Sequence, residues 1–157
     1  MGKQIELKLK VGDLAPSFTA ITNGGGKVSL ADFKGKNVIL YFYPRDDTPG
    51  CTKEACAFRD EFAAFKRKGA VVLGVSTDSA KSHDQFAEKF KLPFTLVSDE
   101  DKKIVQDYGA WGQKSFMGRK YQGTYRMTYL IGPEGRIKKI WPAVKPAEHA
   151  QEVLAAL

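Results

Sequence analysis

Two short apolar runs dominate the hydrophobic pattern of the chain, NVILYFY over residues 37–43 and AVVLGVS over residues 70–76. Each is too brief for a buried helix and rich in Val, Ile and aromatic residues, which predicts two central strands. Between them Phe58, Phe62 and Phe65 recur at i, i+4 and i+7, the spacing of one helix face, and the helix ends before Gly69. Residues 82–91 predict a second helix closed by Leu92-Pro93, residues 95–98 a short strand, and residues 102–108 a third helix ending at Gly109. Residues 125–131 and 136–141 flank Gly132-Pro133-Glu134-Gly135, a turn between antiparallel strands. Residues 146–157 suit a last helix, with Pro146 near its first turn. Upstream, Asn23-Gly24-Gly25-Gly26 at the centre of residues 18–30 marks a loose hairpin turn, and Ala31-Asp32-Phe33 a helical turn.

Parallel strands joined through helices, followed by an antiparallel hairpin and a covering helix, predict an α/β chain. It has a central mixed sheet, helices on both faces and an N-terminal hairpin extension. That is the thioredoxin-like arrangement. With 157 residues, 43% of them hydrophobic, there is material for one core, so residues 1–157 are expected to form a single domain. No apolar run approaches the roughly 18–20 residues that span a bilayer. The opening MGKQIELKLKVGD lacks the apolar stretch of a secretory signal, so a soluble cytoplasmic protein is expected. Met1-Gly2 fits a myristoylation start superficially, but Glu6 stands where that pattern wants Ser or Thr.

The net charge of +7 raises the question of a polyanionic partner. Lys and Arg are scattered and interleaved with acids, as in Lys53-Glu54 and Arg59-Asp60-Glu61, and the longest basic run is Lys66-Arg67-Lys68. The charge therefore reads as a solvated surface, with neither nucleic acid nor membrane as partner.

Two cysteines in a chain without a secretion signal do not make a disulfide scaffold; they read as catalytic or redox-sensing thiols. Cys51 lies in YPRDDTPGCTKEAC, residues 43–56, between the end of a central strand and the body of the first helix. In open α/β sheets the crevice beyond the carboxyl ends of the strands is where ligands bind. Unpaired backbone N–H groups and the positive end of the helix dipole favour an anion there, which suits a reactive thiolate. A lone cysteine is ordinarily a small buried hydrophobe. Thr48-Pro49-Gly50 just before it, at a strand-to-helix junction, is not core sequence. Cys56, within Ala55-Cys56-Ala57, reads equally well as a buried thiol or as a redox partner.

Pro44-x-x-x-Thr48-x-x-Cys51 resembles the active-site motif of the peroxiredoxins, and TPGCTKEAC with Phe58-Arg59-Asp60 resembles their peroxiredoxin Q, or bacterioferritin comigratory protein, branch. The likeness runs through almost the whole chain, in the segment GDLAPSF at residues 12–18, GVSTD at 74–78, LVSD at 96–99 and Tyr108-Gly109-x-Trp111-Gly112. It implies a thiol-dependent peroxidase acting on hydrogen peroxide and organic hydroperoxides. Cys51 would be the peroxidatic cysteine, Thr48 the hydroxyl that orients thiolate and peroxide, and Pro44 the shield against water. Arg126, in YRMTYLI at residues 125–131, would be the active-site arginine. By spacing alone Arg126 reads as half of a surface salt bridge. The resemblance also implies Cys56 as resolving thiol in an intramolecular disulfide, thioredoxin or a similar dithiol as reductant, no prosthetic group or other cofactor, and a monomer. Branch members place the resolving cysteine five residues on, in a later helix, or lack it, and Cys56 is the candidate here. Met127 stands where the branch often has Ser, which predicts an altered pocket wall and peroxide preference.

Other readings fit less well. A thioredoxin-type reductase wants Cys-x-x-Cys, whereas four residues separate Cys51 from Cys56. A metal module would join the cysteines to His83 and His149, but each histidine sits in a polar helical context outside any common zinc spacing, so solvated roles are expected for both. A redox sensor or a chaperone-like protein on the same fold would consume at most one peroxide per chain. Gly24-Gly25-Gly26 follows no phosphate-binding pattern.

Overall fold

The computed structural model describes residues 7–157, so the Met1-Gly2 start and Glu6 lie outside the described residues. In chain order the elements are β1 (Thr19–Ile21), β2 (Lys27–Ser29), β3 (Asn37–Phe42), α1 (Pro49–Asp60), α2 (Phe62–Arg67), β4 (Ala70–Ser76), α3 (Ala80–Phe90), β5 (Thr95–Ser98), α4 (Lys103–Asp107), β6 (Trp111–Phe116), β7 (Arg119–Thr124), β8 (Met127–Ile131), β9 (Ile137–Trp141) and α5 (His149–Ala155). Five strands form the central sheet in the order β5-β4-β3-β8-β9. β3, β4 and β5 run parallel, and β8 and β9 continue the sheet antiparallel. The sheet is therefore mixed and thioredoxin-like, as the pattern predicts, and β1 and β2 form the separate N-terminal hairpin.

The continuous apolar run of β3 is explained by cores on both of its faces. Val38, Leu40 and Phe42 pack with Leu73, Val75, Ile104 and Tyr108 on one side. Ile39, Tyr41 and Tyr43 pack with Phe58, Phe65, Phe86 and Val153 on the other. α1, α2, α3 and α5 thus cover one face and α4 the other. Fully burying each such side chain stabilises by roughly 1.5–3 kcal/mol. No helix among the described residues is long and apolar enough to cross a membrane.

Two segments differ from the pattern-based expectation. The Phe58/Phe62/Phe65 face belongs to two helices, broken at Glu61 (φ −100°, ψ 8°). Phe58 and Phe65 are fully buried across the break, so the apolar spacing survives it. Residues 111–124 form the unpredicted hairpin of β6 and β7. Its strands are mostly exposed and lack an apolar alternation. Its turn places Met117 (φ 49°) and Gly118 (φ 80°) in left-handed conformations, the geometry that usually advertises itself through Asn-Gly or Asp-Gly.

Packing beside β4 is tight. A Cβ on Gly74 would stand 2.9 Å from both Cζ and the hydroxyl oxygen of Tyr41 and 3.0 Å from Cδ2 of Leu96. Tyr41 cannot yield, because its ring is stacked on Phe58 with centroids 4.7 Å apart. Gly74→Ala is expected to destabilise the fold by about 1–3 kcal/mol through overpacking. A urea midpoint unchanged from wild type would contradict this.

Candidate active site

β3 ends at Phe42, residues 44–48 form a loop, and α1 starts with Thr48 as its extended N-cap (ψ 157°) and Pro49 in the first helical position. Cys51 therefore lies in the first turn, where it is 1% exposed. The Thr48 hydroxyl donates to the Arg45 carbonyl at 2.9 Å and closes the loop on itself. Its carbonyl accepts from Thr52 N at 2.8 Å. Pro44 is half-buried at the loop's start.

Pairing of β8 with β3 brings in Arg126, the second residue of the link between β7 and β8. Arg126 Nη2 donates to Cys51 Sγ at 3.3 Å, and Nη1 donates to Glu54 Oε1 at 2.8 Å. Gly50 makes room for this fork, since a Cβ there would come within 3.1 Å of Nη2. The structure thus joins Cys51 and Arg126 directly, with Thr48 and Pro44 in the loop that leads to them. Cys56 is farther along the same helix, half-buried, and both thiols are free.

The electrostatics follow from burial. Glu54 is fully buried, which pushes its carboxyl up to about 7 even though the Arg126 guanidinium pulls the other way. Its Oε2 has no partner among the described residues. For Arg126, burial works against the charge, but Cys51 and Glu54 outweigh it and hold the group above its ordinary range. Lys114 of β6 adds a half-buried cation. Burial and then Arg126 lower its pKa against an opposing effect of Cys51, and its Nζ donates to the Thr124 carbonyl at 2.9 Å. A sulfur that accepts from a fixed guanidinium, screened from water, has donors already in place for negative charge that develops beside it.

Several side chains depart from the sequence-based expectation. His83 and His149, expected in solvated roles, are both buried. His83 is engaged with Asp46 and the Val97 carbonyl, and His149 with Thr128 and Glu152. Among the described residues, Asp46, Asp78 and His83 bring their ligand atoms within 4.8 Å of one another, and neither cysteine belongs to that group. Glu54, counted among interleaved surface charges, is instead a site residue. Its signal was present: Cys51, Glu54, Ala55 and Phe58 fall at i, i+3, i+4 and i+7 and are the buried residues of α1. Met127 does not form the pocket wall, because it packs with Tyr129 and Ile131 on the face of the sheet opposite Cys51.

Residues 11–140 match the AhpC/TSA family. A peroxiredoxin bcp of Coxiella burnetii is 51% identical over 151 residues, covering 96% of this chain and 100% of that protein. The chain belongs to the AhpC/TSA family, as a peroxiredoxin. Among solved structures, a cysteine-to-serine mutant of Xylella fastidiosa PrxQ superposes with a TM-score of 0.90 at 36% identity over 94% of each chain. The Xanthomonas campestris bacterioferritin comigratory protein, solved in work on its alkyl peroxide reduction activity, gives 0.87 at 37% identity over 96% of each chain. This peroxiredoxin is accordingly a thiol-dependent peroxidase that takes a peroxide as substrate and requires a reductant.

In this peroxiredoxin the buried Glu54 ties stability to pH. A carboxyl whose folded value of about 7 lies above its ordinary value of 4.5 binds its proton more tightly when folded. Its contribution is full below 4.5 and is lost as pH rises through 7. Relative to Glu54→Gln, wild type is expected to lose up to about 3 kcal/mol of unfolding free energy over that range, at 1.36 kcal/mol per unit. Urea titrations of both proteins from pH 4.5 to pH 8 measure this difference directly; a flat difference would mean that Glu54 keeps its ordinary titration.

Proposed function

We propose that this peroxiredoxin is an atypical two-cysteine enzyme in which Cys51 is oxidised by peroxide and Cys56 resolves the product. The observation that carries the reading is the contact of Arg126 Nη2 with Cys51 Sγ at the start of α1. In the first step the Cys51 thiolate attacks one peroxide oxygen, the S–O bond forms as the O–O bond breaks, and the departing oxygen takes a proton to leave as water or alcohol. Arg126 stabilises the charge that develops on that oxygen, the Thr48 hydroxyl orients thiolate and peroxide, and Pro44 keeps water from the sulfur. Cys51 is left as a sulfenic acid. Cys56 then attacks its sulfur and expels water, which leaves the Cys51-Cys56 disulfide. A dithiol protein, thioredoxin or one like it, returns two electrons.

Helix geometry demands movement between these steps. Five residues of α-helix separate the two Cα atoms by about 8.7 Å. A disulfide needs them within about 6.8 Å. The first turns of α1 must therefore unwind once Cys51 is oxidised, at the expense of a few backbone hydrogen bonds worth roughly 0.5–1.5 kcal/mol each. Unwinding takes apart the peroxide pocket and exposes the disulfide to its reductant.

The substrates are hydrogen peroxide and organic hydroperoxides, and the role is antioxidant defence and redox homeostasis. The alkyl peroxide reduction of the Xanthomonas relative supports the organic substrates. The protein is proposed to act as a cytoplasmic monomer of one domain, residues 1–157.

Cys51→Ser is expected to abolish peroxide consumption, while Cys56→Ser keeps the first oxidation and accumulates sulfenic or overoxidised Cys51. Stopped flow and mass spectrometry read both, and full thioredoxin-dependent turnover by Cys56→Ser would remove its resolving role. Arg126→Ala is expected to slow Cys51 oxidation by about 10²- to 10³-fold, the usual effect of losing one preorganised donor. A rate close to wild type would show that the guanidinium serves Glu54 alone.

A further inference from the structure

The loop that carries Pro44 and Thr48 is held by a buried polar hub that the chemistry at Cys51 does not itself use. Asp46 Oδ1 accepts from the Tyr43 hydroxyl at 2.6 Å, and Oδ2 accepts from Ser82 Oγ at 2.8 Å and meets His83 Nδ1 at 2.7 Å. The backbone N–H of Asp46 donates to Asp78 Oδ2 at 2.8 Å, and that oxygen also accepts from Ser76 Oγ at 2.7 Å. His83 is closed at its other end, with Nε2 2.9 Å from the Val97 carbonyl. A carbonyl can only accept, so Nε2 carries a hydrogen. Nδ1 then faces a carboxylate oxygen of Asp46. The His83 ring is 0% exposed and the Asp46 side chain 4%, so water cannot stand in for either partner.

The hub's place in the chain gives it consequence. It fastens residue 46 to the ends of β3 and β4, to α3 and to β5. Asp47 follows in a left-handed conformation (φ 58°), its side chain held by a solvent-exposed pair to Lys89 at 2.8 Å. Thr48 comes next and is the N-cap of α1. Between the hub and the helix there is thus one residue of unusual backbone and, among the described residues, no other buried anchor of the loop's side chains.

We infer that His83 is a positioning residue for Cys51: through Asp46 it fixes the loop that starts α1, so that the closed pocket is favoured over the unwound form. The inference rests on the two-cysteine reading for its second half, since unwinding is the step that lets Cys56 reach Cys51. Peroxide reacts with the closed form and the disulfide forms from the unwound one. Loosening the hub therefore moves the two steps in opposite directions.

The test measures, by stopped flow with quench and mass spectrometry, the rate of Cys51 oxidation and the rate of the following disulfide step. His83→Leu is expected to slow oxidation and to raise the ratio of disulfide to oxidation rates by about tenfold, the change expected from one lost hydrogen bond to a charged group. His83→Asn, whose amide can donate to Asp46 from near the position of Nδ1, is expected to restore a ratio close to wild type. Ser82→Ala removes one donor to Asp46 without disturbing the ring and is expected to change the ratio in the same direction by less. It decides the matter if His83→Leu does not fold. A fall in melting temperature with an unchanged ratio in His83→Leu and Ser82→Ala would overturn the inference, leaving the hub an ordinary part of the core. A wild-type chain that turns over peroxide without ever forming the Cys51-Cys56 disulfide would instead remove the two-cysteine reading. The hub would then stand or fall on whether His83→Leu slows oxidation.

Discussion

Arg126 reaches with one nitrogen to Glu54 and with the other to Cys51, and the three groups share a space from which water is almost absent. A carboxylate and a sulfur with so little access to solvent depend on the guanidinium for the interactions water would have supplied, and the guanidinium depends on them. Much of the local architecture follows from keeping this fork in place. Gly50 is small where the fork passes, and the β3–β8 pairing sets the height at which Arg126 enters. Two residues farther on, Thr128 is tied to the buried His149 of α5 at 2.6 Å, so the strand that delivers the arginine is also fastened from the helical side.

Under the proposed two-cysteine mechanism the same helix has two incompatible tasks. α1 presents Cys51 at its closed N-terminus, yet its regular geometry keeps Cys56 out of reach. The packing is graded in a way that reconciles them. Phe58 is fully buried and stacked on Tyr41, so the second half of α1 is bound to the core. The first half adds the polar fork, and Pro146 near Gly50, to the buried Cys51 and Ala55. Opening the first turns can therefore leave the Phe58 anchor in place, which is the condition for a local transition within a stable fold.

The large architecture was legible because it is written in apolar spacing. The runs at residues 37–43 and 70–76, and the Phe58 and Phe65 positions, all reappear as core, since burial of large apolar side chains is what fixes a sheet and its helices. What escaped was polar. His83, His149 and Glu54 each have polar neighbours in sequence, and nothing local reveals that the partner closing each of them off from water lies 14 to 72 residues away. Arg126 was assigned through its resemblance to a family and not through any property of YRMTYLI. The exposed β6–β7 hairpin escaped for the opposite reason, having no buried face to impose a pattern.

These polar groups are not spread evenly through the interior. Asp46, Glu54, His83 and His149 all bond to, or stand on, the elements that frame Cys51, while the far faces of β3 and β4 are lined by aliphatic and aromatic groups. Buried polar contacts of this kind contribute little net stability, and any one of them left unpaired costs more than it would have given. Their value is directional, because a hydrogen bond between two buried groups tolerates far less displacement than a contact between two apolar ones. The apolar half of the molecule therefore supplies the stability, and the polar end of the sheet spends part of it on holding one sulfur, one guanidinium and one loop in a defined relation.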